Sequence, residues 1–78
     1  MDLVLTLDEL QKARRYVSDG RDNVARQRKI VEWLEGQGHD ALDAILFLEF
    51  LEELQEQYQD HRNRLERQVM RLVRPEDD

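Results

Sequence analysis

The segment Gly36-Gln37-Gly38-His39-Asp40 divides the chain into two stretches of similar length. Glycine readily adopts the left-handed backbone conformation that ends many helices, and aspartate accepts hydrogen bonds from the first turn of a following helix. We therefore predict that Gly36 or Gly38 ends one helix and that Asp40 caps the next. Because short connections join antiparallel neighbours, the expected fold is all-α: an antiparallel two-helix hairpin, packed like a coiled coil, forming one domain over residues 1–78.

The first helix is predicted over about residues 7–36. Thr6 and Glu9 have the spacing of a capping box, in which each side chain bonds the other residue's backbone N–H. A break near Gly20, with a new cap at Asp22 or Asn23, is the alternative to one continuous helix. The apolar stripe keeps its phase across Gly20 and favours continuity. The stripe contains Leu10, Ala13, Val17, Gly20, Val24, Gln27, Val31 and Leu34.

The second helix is predicted over about residues 41–72, and Pro75 lies beyond its end. The two stripes align when Gly20 faces Tyr58, so that a large side chain covers the glycine. We interpret His61 as a half-buried residue hydrogen-bonded across the seam, and a pH-dependent interface remains an alternative. The stripe of this helix contains Ala44, Phe47, Leu48, Leu51, Leu54, Tyr58, His61, Leu65, Val69 and Leu72.

Apolar residues near the turn exceed what one hairpin can bury. Residues 42–51 are apolar around nearly the whole helix circumference, which is typical of a helix buried on all sides. We expect this excess to be covered by self-association, first as a dimer that forms a four-helix bundle in which the N-terminal arm, Leu3-Val4-Leu5, reaches the partner's turn. The predicted interface residues are Ile30, Trp33, Leu42, Leu46 and Phe50.

The net charge of −6 is unevenly distributed along the sequence. Residues 30–61 contain nine acidic residues and no lysine or arginine, whereas residues 1–29 contain seven bases and five acids. A fold at the turn therefore predicts an acidic closed end and a mildly basic open end. The acidic run is a solvated face or a dock for a protein with a basic surface, formed by Glu49, Glu52, Glu53 and Glu56.

The composition argues for a protein without catalytic or cofactor-binding chemistry. There is no cysteine, no apolar run of the roughly 20 residues that cross a bilayer, and no basic leader before the apolar N-terminus, so we expect a cytoplasmic protein. His39, Asp40 and Asp43 superficially resemble metal ligands, but turn capping explains Asp40, and zinc needs three or four ligands. We predict no catalytic, cofactor or metal site and no enzyme activity, because a hairpin offers no cleft that would tune acid pairs.

Nucleic-acid binding is the alternative function. Twelve lysines and arginines lie outside residues 30–61, in the open two-thirds of the predicted hairpin. Acidic residues such as Asp19 and Glu66 are interspersed among them, the isoelectric point is near 4.8, and no helix-turn-helix is visible. An arginine-rich regulator therefore ranks below a protein interaction module.

Residues 14–65 resemble a pattern found in short bacterial proteins of unassigned role. In those proteins a Gly-His-Asp turn, here Gly38-His39-Asp40, and a later His-x-x-Arg-Leu-like segment, here within His61–Leu65, recur between two long helices. This resemblance implies the hairpin fold and adds no function, since those proteins have no established activity to carry over, and the apolar block Ile45–Leu51 departs from the pattern. Further matching positions are Tyr16-Val17, Gly20, Val24-Ala25, Gln27-Arg28, Ile30-Val31, Leu34-Glu35, Ala44, Phe50 and Leu54.

Overall fold

A computed structural model describes residues 2–74 as two long helices joined by a five-residue connection. Helix α1 comprises Leu3–Gly36 and helix α2 comprises Leu42–Val73, and residues 2–74 contain no strand. The helices pack side by side in an antiparallel hairpin that measures 63 × 20 × 14 Å. The predicted all-α two-helix hairpin is confirmed, and α1 is continuous through Gly20.

Helix α1 begins four residues earlier than the sequence predicts. Asp2 is its N-cap: the Asp2 carboxylate accepts a hydrogen bond of 2.9 Å from the Val4 backbone N–H. The buried Thr6 hydroxyl donates to the Asp2 carbonyl oxygen at 2.9 Å, so Thr6 lies inside the helix. The capping box at Thr6 is therefore wrong, because Asp2 supplies a cap one turn earlier. The Leu3-Val4-Leu5 segment is helical and is not a free arm.

The connection ends α1 in a Schellman motif. The His39 N–H donates to the Leu34 carbonyl oxygen (2.9 Å), and the Gly38 N–H donates to that of Glu35 (3.1 Å). Gly38 has a φ of 74°, so it is the glycine, of the two predicted, that takes the left-handed conformation. The N-cap of α2 is Ala41 and not the predicted Asp40, which lies one residue before it and accepts from the Leu42 N–H at 2.9 Å.

Along the seam, α1 presents the predicted stripe, but α2 presents a different one. Gln55 is buried, whereas Leu54 is half-buried and His61 is exposed. The half-buried Arg62 takes the seam position next to His61. The predicted hydrogen-bonded His61 is therefore wrong. The seam residues of α2 follow one another at alternating intervals of four and three residues, which matches the spacing of the seam residues in α1. They are Ala44, Leu48, Leu51, Gln55, Tyr58, Arg62, Leu65, Val69 and Leu72.

Two glutamines connect the helices through the backbone. The Gln27 side-chain amide donates from α1 to the Ala44 carbonyl oxygen at 3.0 Å. Gln55 donates from α2 to the Val17 carbonyl oxygen at 2.8 Å and lies directly against Gly20, with Tyr58 as the next neighbour. The register is thus shifted by three residues from the predicted Gly20–Tyr58 pairing, although a large side chain does cover the glycine.

The buried apolar core is thin and concentrated at the open end. Leu10, Ala13 and Leu65 form its cluster, against which Val69 packs. Layers of one or two side chains along a single seam leave the opposite faces of both helices in water. Neither α1 nor α2 combines the length and the apolar character that crossing a lipid bilayer requires.

Candidate interaction surface

The five predicted interface residues are all exposed. Trp33 is 60% exposed and Phe50 is 56% exposed, although such side chains are normally among the better-covered ones in a folded protein. A helix surface follows its own geometry, in which residues three or four positions apart are neighbours. The hairpin accordingly arranges the five as two short rows, one on each helix.

On α2, Leu42, Leu46 and Phe50 follow one another at intervals of four residues and form an exposed ridge. Phe47 extends this ridge sideways, since its ring stacks on Phe50 with centroids 6.2 Å apart and an interplanar angle of 18°. The sequence placed Phe47 on the buried seam, but it is 51% exposed. That assignment is wrong, because Ala44, Leu48 and Leu51 occupy the seam at this level.

On α1, Ile30 and Trp33 lie three residues apart and form the second row. The Trp33 ring packs at a centroid distance of 6.0 Å from the imidazole of His39. This contact joins the end of α1 to the turn, so the indole lies beside the connection and not over the seam. We refer to Ile30, Trp33, Leu42, Leu46, Phe47 and Phe50 together as the closed-end apolar set.

Two shallow grooves run between the helices on opposite flanks. One includes Phe47 together with Asn23 and Arg26, and therefore adjoins the closed-end apolar set. The other includes Arg21 and Arg28, which are one heptad apart on α1 and hence on one side of it. Across the second groove α2 presents Glu52 and Glu56. On α2 the apolar and the acidic residues lie partly on the same side, because Leu42 precedes Glu49 by one heptad and Leu46 precedes Glu53 by one heptad.

The predicted acidic dock forms one face of α2, because Glu49, Glu52, Glu53 and Glu56 are spaced at three and four residues. Within this face, the Glu52 carboxylate lies 3.2 Å from the Arg28 guanidinium. Both side chains are about half exposed, so the pair contributes only about 0–1 kcal/mol to stability. One of the four carboxylates is thus partly neutralised from within the chain.

The basic residues that would contact nucleic acid are partly engaged in ion pairs. Besides Arg28, Lys12 pairs with Asp8 at 3.2 Å and Arg62 pairs with Glu66 at 3.4 Å. The hydrogen bond from Lys12 to Asp8 raises the pKa of the Lys12 ammonium, and the Asp8 charge adds to this effect. Pairs of this kind reduce the positive potential that phosphates would meet.

Metal-ligating side chains are not clustered in the part of the chain that the structure describes. Among residues 2–74, no group of three or more histidine, cysteine, aspartate or glutamate residues converges closely enough to hold a metal ion. The Asp40 carboxylate is engaged with the Leu42 N–H, as described above.

The most informative residues that the sequence did not single out are Phe47 as a surface residue and Gln55 as a seam residue. Phe47 had a detectable signal, because it lies three residues before Phe50 in a block that is apolar all round. No signal within α2 itself identifies Gln55 as buried, because its burial depends on Gly20, which lies on the other helix.

Comparison with protein-family models, with curated proteins and with solved structures finds no match to this chain. The resemblance of residues 14–65 to short bacterial hairpin proteins therefore stays a prediction. The closed-end apolar set and the acidic face of α2 are the features of this chain that bear on its function.

Proposed function

We propose that this chain is a non-enzymatic helical protein–protein interaction module that self-associates, first as a dimer, and acts as a small adaptor or regulator. The observation that supports this most is the balance of its apolar residues. Among residues 2–74, twelve large hydrophobic side chains are exposed, against six hydrophobic residues that are buried. In a monomer these exposed apolar side chains stay in contact with water, which is unfavourable. Association with a protein surface removes them from water and is therefore favoured.

The exposed area supports the same proposal. The hairpin exposes 6305 Å², whereas a compact monomer of its mass exposes about 5,000 Å². Its radius of gyration of 17.8 Å likewise exceeds the roughly 11–12 Å of a compact domain of this length. A second hairpin packed along the first would cover this excess and produce a four-helix bundle.

The acidic face of α2 gives the proposed module a second contact. Glu49, Glu53 and Glu56 would attract a protein with a basic surface, and such attraction raises association rates more than it raises affinity. In this proposal the apolar residues supply the affinity of self-association, and the carboxylates orient a further protein partner.

The proposal is tested by removing the apolar contacts. In the variant Trp33→Gln/Phe50→Gln, we expect light scattering to report a lower mass than for the wild type, while circular dichroism shows retained helicity. The control Ala25→Gln adds a polar group to an exposed site on the opposite flank and should leave the mass unchanged. A wild-type chain that is folded and monomeric at micromolar concentration would refute self-association. An unchanged mass in the double variant would refute the assignment of this surface.

A further inference from the structure

Among residues 2–74, most of the exposed large hydrophobic residues lie towards the two ends of the hairpin. Six form the closed-end apolar set, and none lies in residues 17–29 or 51–69. The remaining six lie in the open half and are here called the open-end apolar set: Val4, Leu5, Leu7, Tyr16, Met70 and Val73. Apart from Tyr16, the middle of the hairpin has a polar surface, and the two apolar sets are separated along a molecule 63 Å long.

Both ends contribute to one flank of the hairpin. The groove at the open end includes Leu5 and Glu9, and the groove near the closed end includes Asn23 and Phe47. Glu9 and Asn23 are two heptads apart, so they lie on the same side of α1. One flank thus carries apolar residues at both ends, with Tyr16 between them stacked on Tyr58 at a centroid distance of 5.5 Å.

Charge follows the same division. Residues 20–56 form the closed half of the hairpin, and they carry nine acidic residues and four bases. Residues 2–19 and 57–74 form the open half, and they carry eight bases and six acidic residues. Two copies packed in parallel would set the two acidic halves side by side, whereas antiparallel packing sets each acidic half beside a basic one.

From these two distributions we infer that the surface is completed by a second copy of this chain in antiparallel orientation, with Ile30, Trp33 and Phe47 of each copy against Leu5 and Tyr16 of the other. The inference rests on the proposed self-association and adds its geometry. A two-fold axis perpendicular to the long axis makes the two contacts equivalent. It also assigns Leu5 to the same interface as Trp33.

The orientation is measured by spin labels, and the chain has no cysteine of its own to interfere. A label at Gln37→Cys marks the turn, and a label at Gln57→Cys marks the middle of α2. Antiparallel packing predicts a turn-to-turn distance that approaches the 63 Å length of the hairpin, together with a short distance between the Gln57 labels. Parallel packing predicts roughly 20 Å at both sites, about two interhelical spacings.

The outcomes separate this inference from the proposal on which it rests. A short turn-to-turn distance overturns the antiparallel orientation but leaves self-association intact. If neither label shows an intermolecular distance and the mass is that of one chain, self-association itself is refuted. As a second measurement, Leu5→Gln should raise the dimer dissociation constant by about tenfold, as removal of a buried apolar contact does. An unchanged constant would overturn the role of the open end.

Discussion

The amide group of Gln55 occupies the space beside Gly20 that a Cβ atom at residue 20 would fill. Its nitrogen donates to the Val17 carbonyl oxygen, while its oxygen is buried and has no hydrogen-bond partner within residues 2–74. The two residues come from different helices and are interdependent: the glycine makes room for the glutamine, and the glutamine covers the exposed backbone of the glycine. Several measurable consequences depend on this pair.

The substitution Gly20→Ala should destabilise the hairpin by about 1–2 kcal/mol, because the new methyl group displaces the Gln55 amide from a packed position. With Gln55→Ala also present the collision disappears, and the same Gly20→Ala change should then stabilise the helix by up to about 1 kcal/mol. Urea unfolding of the four members of this double-mutant cycle, at one protein concentration, measures the coupling. Additive effects would show that the two side chains do not compete for the same space.

The two seam glutamines should respond differently to replacement by methionine, which is similar in length and lacks hydrogen-bonding groups. Gln27→Met loses the bond to the Ala44 carbonyl oxygen and should cost about 0.5–1.5 kcal/mol. Gln55→Met also loses a bond, but it removes a buried oxygen that lacks a partner, so its net effect should be close to zero. Unfolding free energies in urea give the comparison. A larger cost at Gln55 than at Gln27 would contradict it.

The two glycines of the turn form a matched pair. Gly38→Ala should destabilise by about 1 kcal/mol, because its φ of 74° strains an L-residue. Gly36 belongs to α1, and a Cβ atom there would contact nothing within 4 Å. Gly36→Ala should therefore stabilise the protein by about 0.5–1 kcal/mol. Thermal unfolding should give the highest melting temperature for Gly36→Ala, an intermediate one for the wild type and the lowest for Gly38→Ala. The reverse order would mean that Gly38 is not the residue in the left-handed conformation.

The Lys12–Asp8 pair should give a stability contribution with a defined pH dependence. The folded-state pKa of Lys12 is raised above 10.5, so folding binds its proton more tightly. The stabilising contribution is complete below that value and is lost as pH rises through the raised pKa. The difference in unfolding free energy between the wild type and Lys12→Gln should thus be constant from pH 7 to about 9 and vanish in more alkaline solution. Raising the salt concentration should reduce the difference at every pH.

The hairpin could be predicted because its signals are local. Gly38, Asp40 and the repeating apolar residues of α1 each act within a few positions of themselves, so the turn and the fold class followed from them. The buried face of α2 could not be predicted in the same way, because residues 42–51 are apolar around nearly the whole helix circumference and permit several choices of buried face.

The face of α2 that is buried in the structure is the one whose residues follow the same alternating intervals of four and three as those of α1. This choice buries Gln55 in preference to Leu54 and leaves His61 in water. The buried position of Gln55 depends on the space that the other helix leaves, and Gly20 provides that space. The contact surface was partly predictable for a related reason: exposed apolar residues at Trp33 and Phe50 were recognisable, but the exposure of Phe47 depended on the phase.

The Gly20–Gln55 pair also has a consequence for the order of folding. Contacts next to the turn close the smallest loops and cost the least chain entropy. We therefore expect the two helices to pair first near Gly38 and then progressively towards the termini. A hairpin that starts in the wrong register can form its first apolar layers, since the residues there are interchangeable. In such a register a larger residue replaces Gly20 opposite Gln55, and the two side chains compete for the same space. The Gly20–Gln55 pair therefore favours the native alignment of the two helices at the middle of the hairpin.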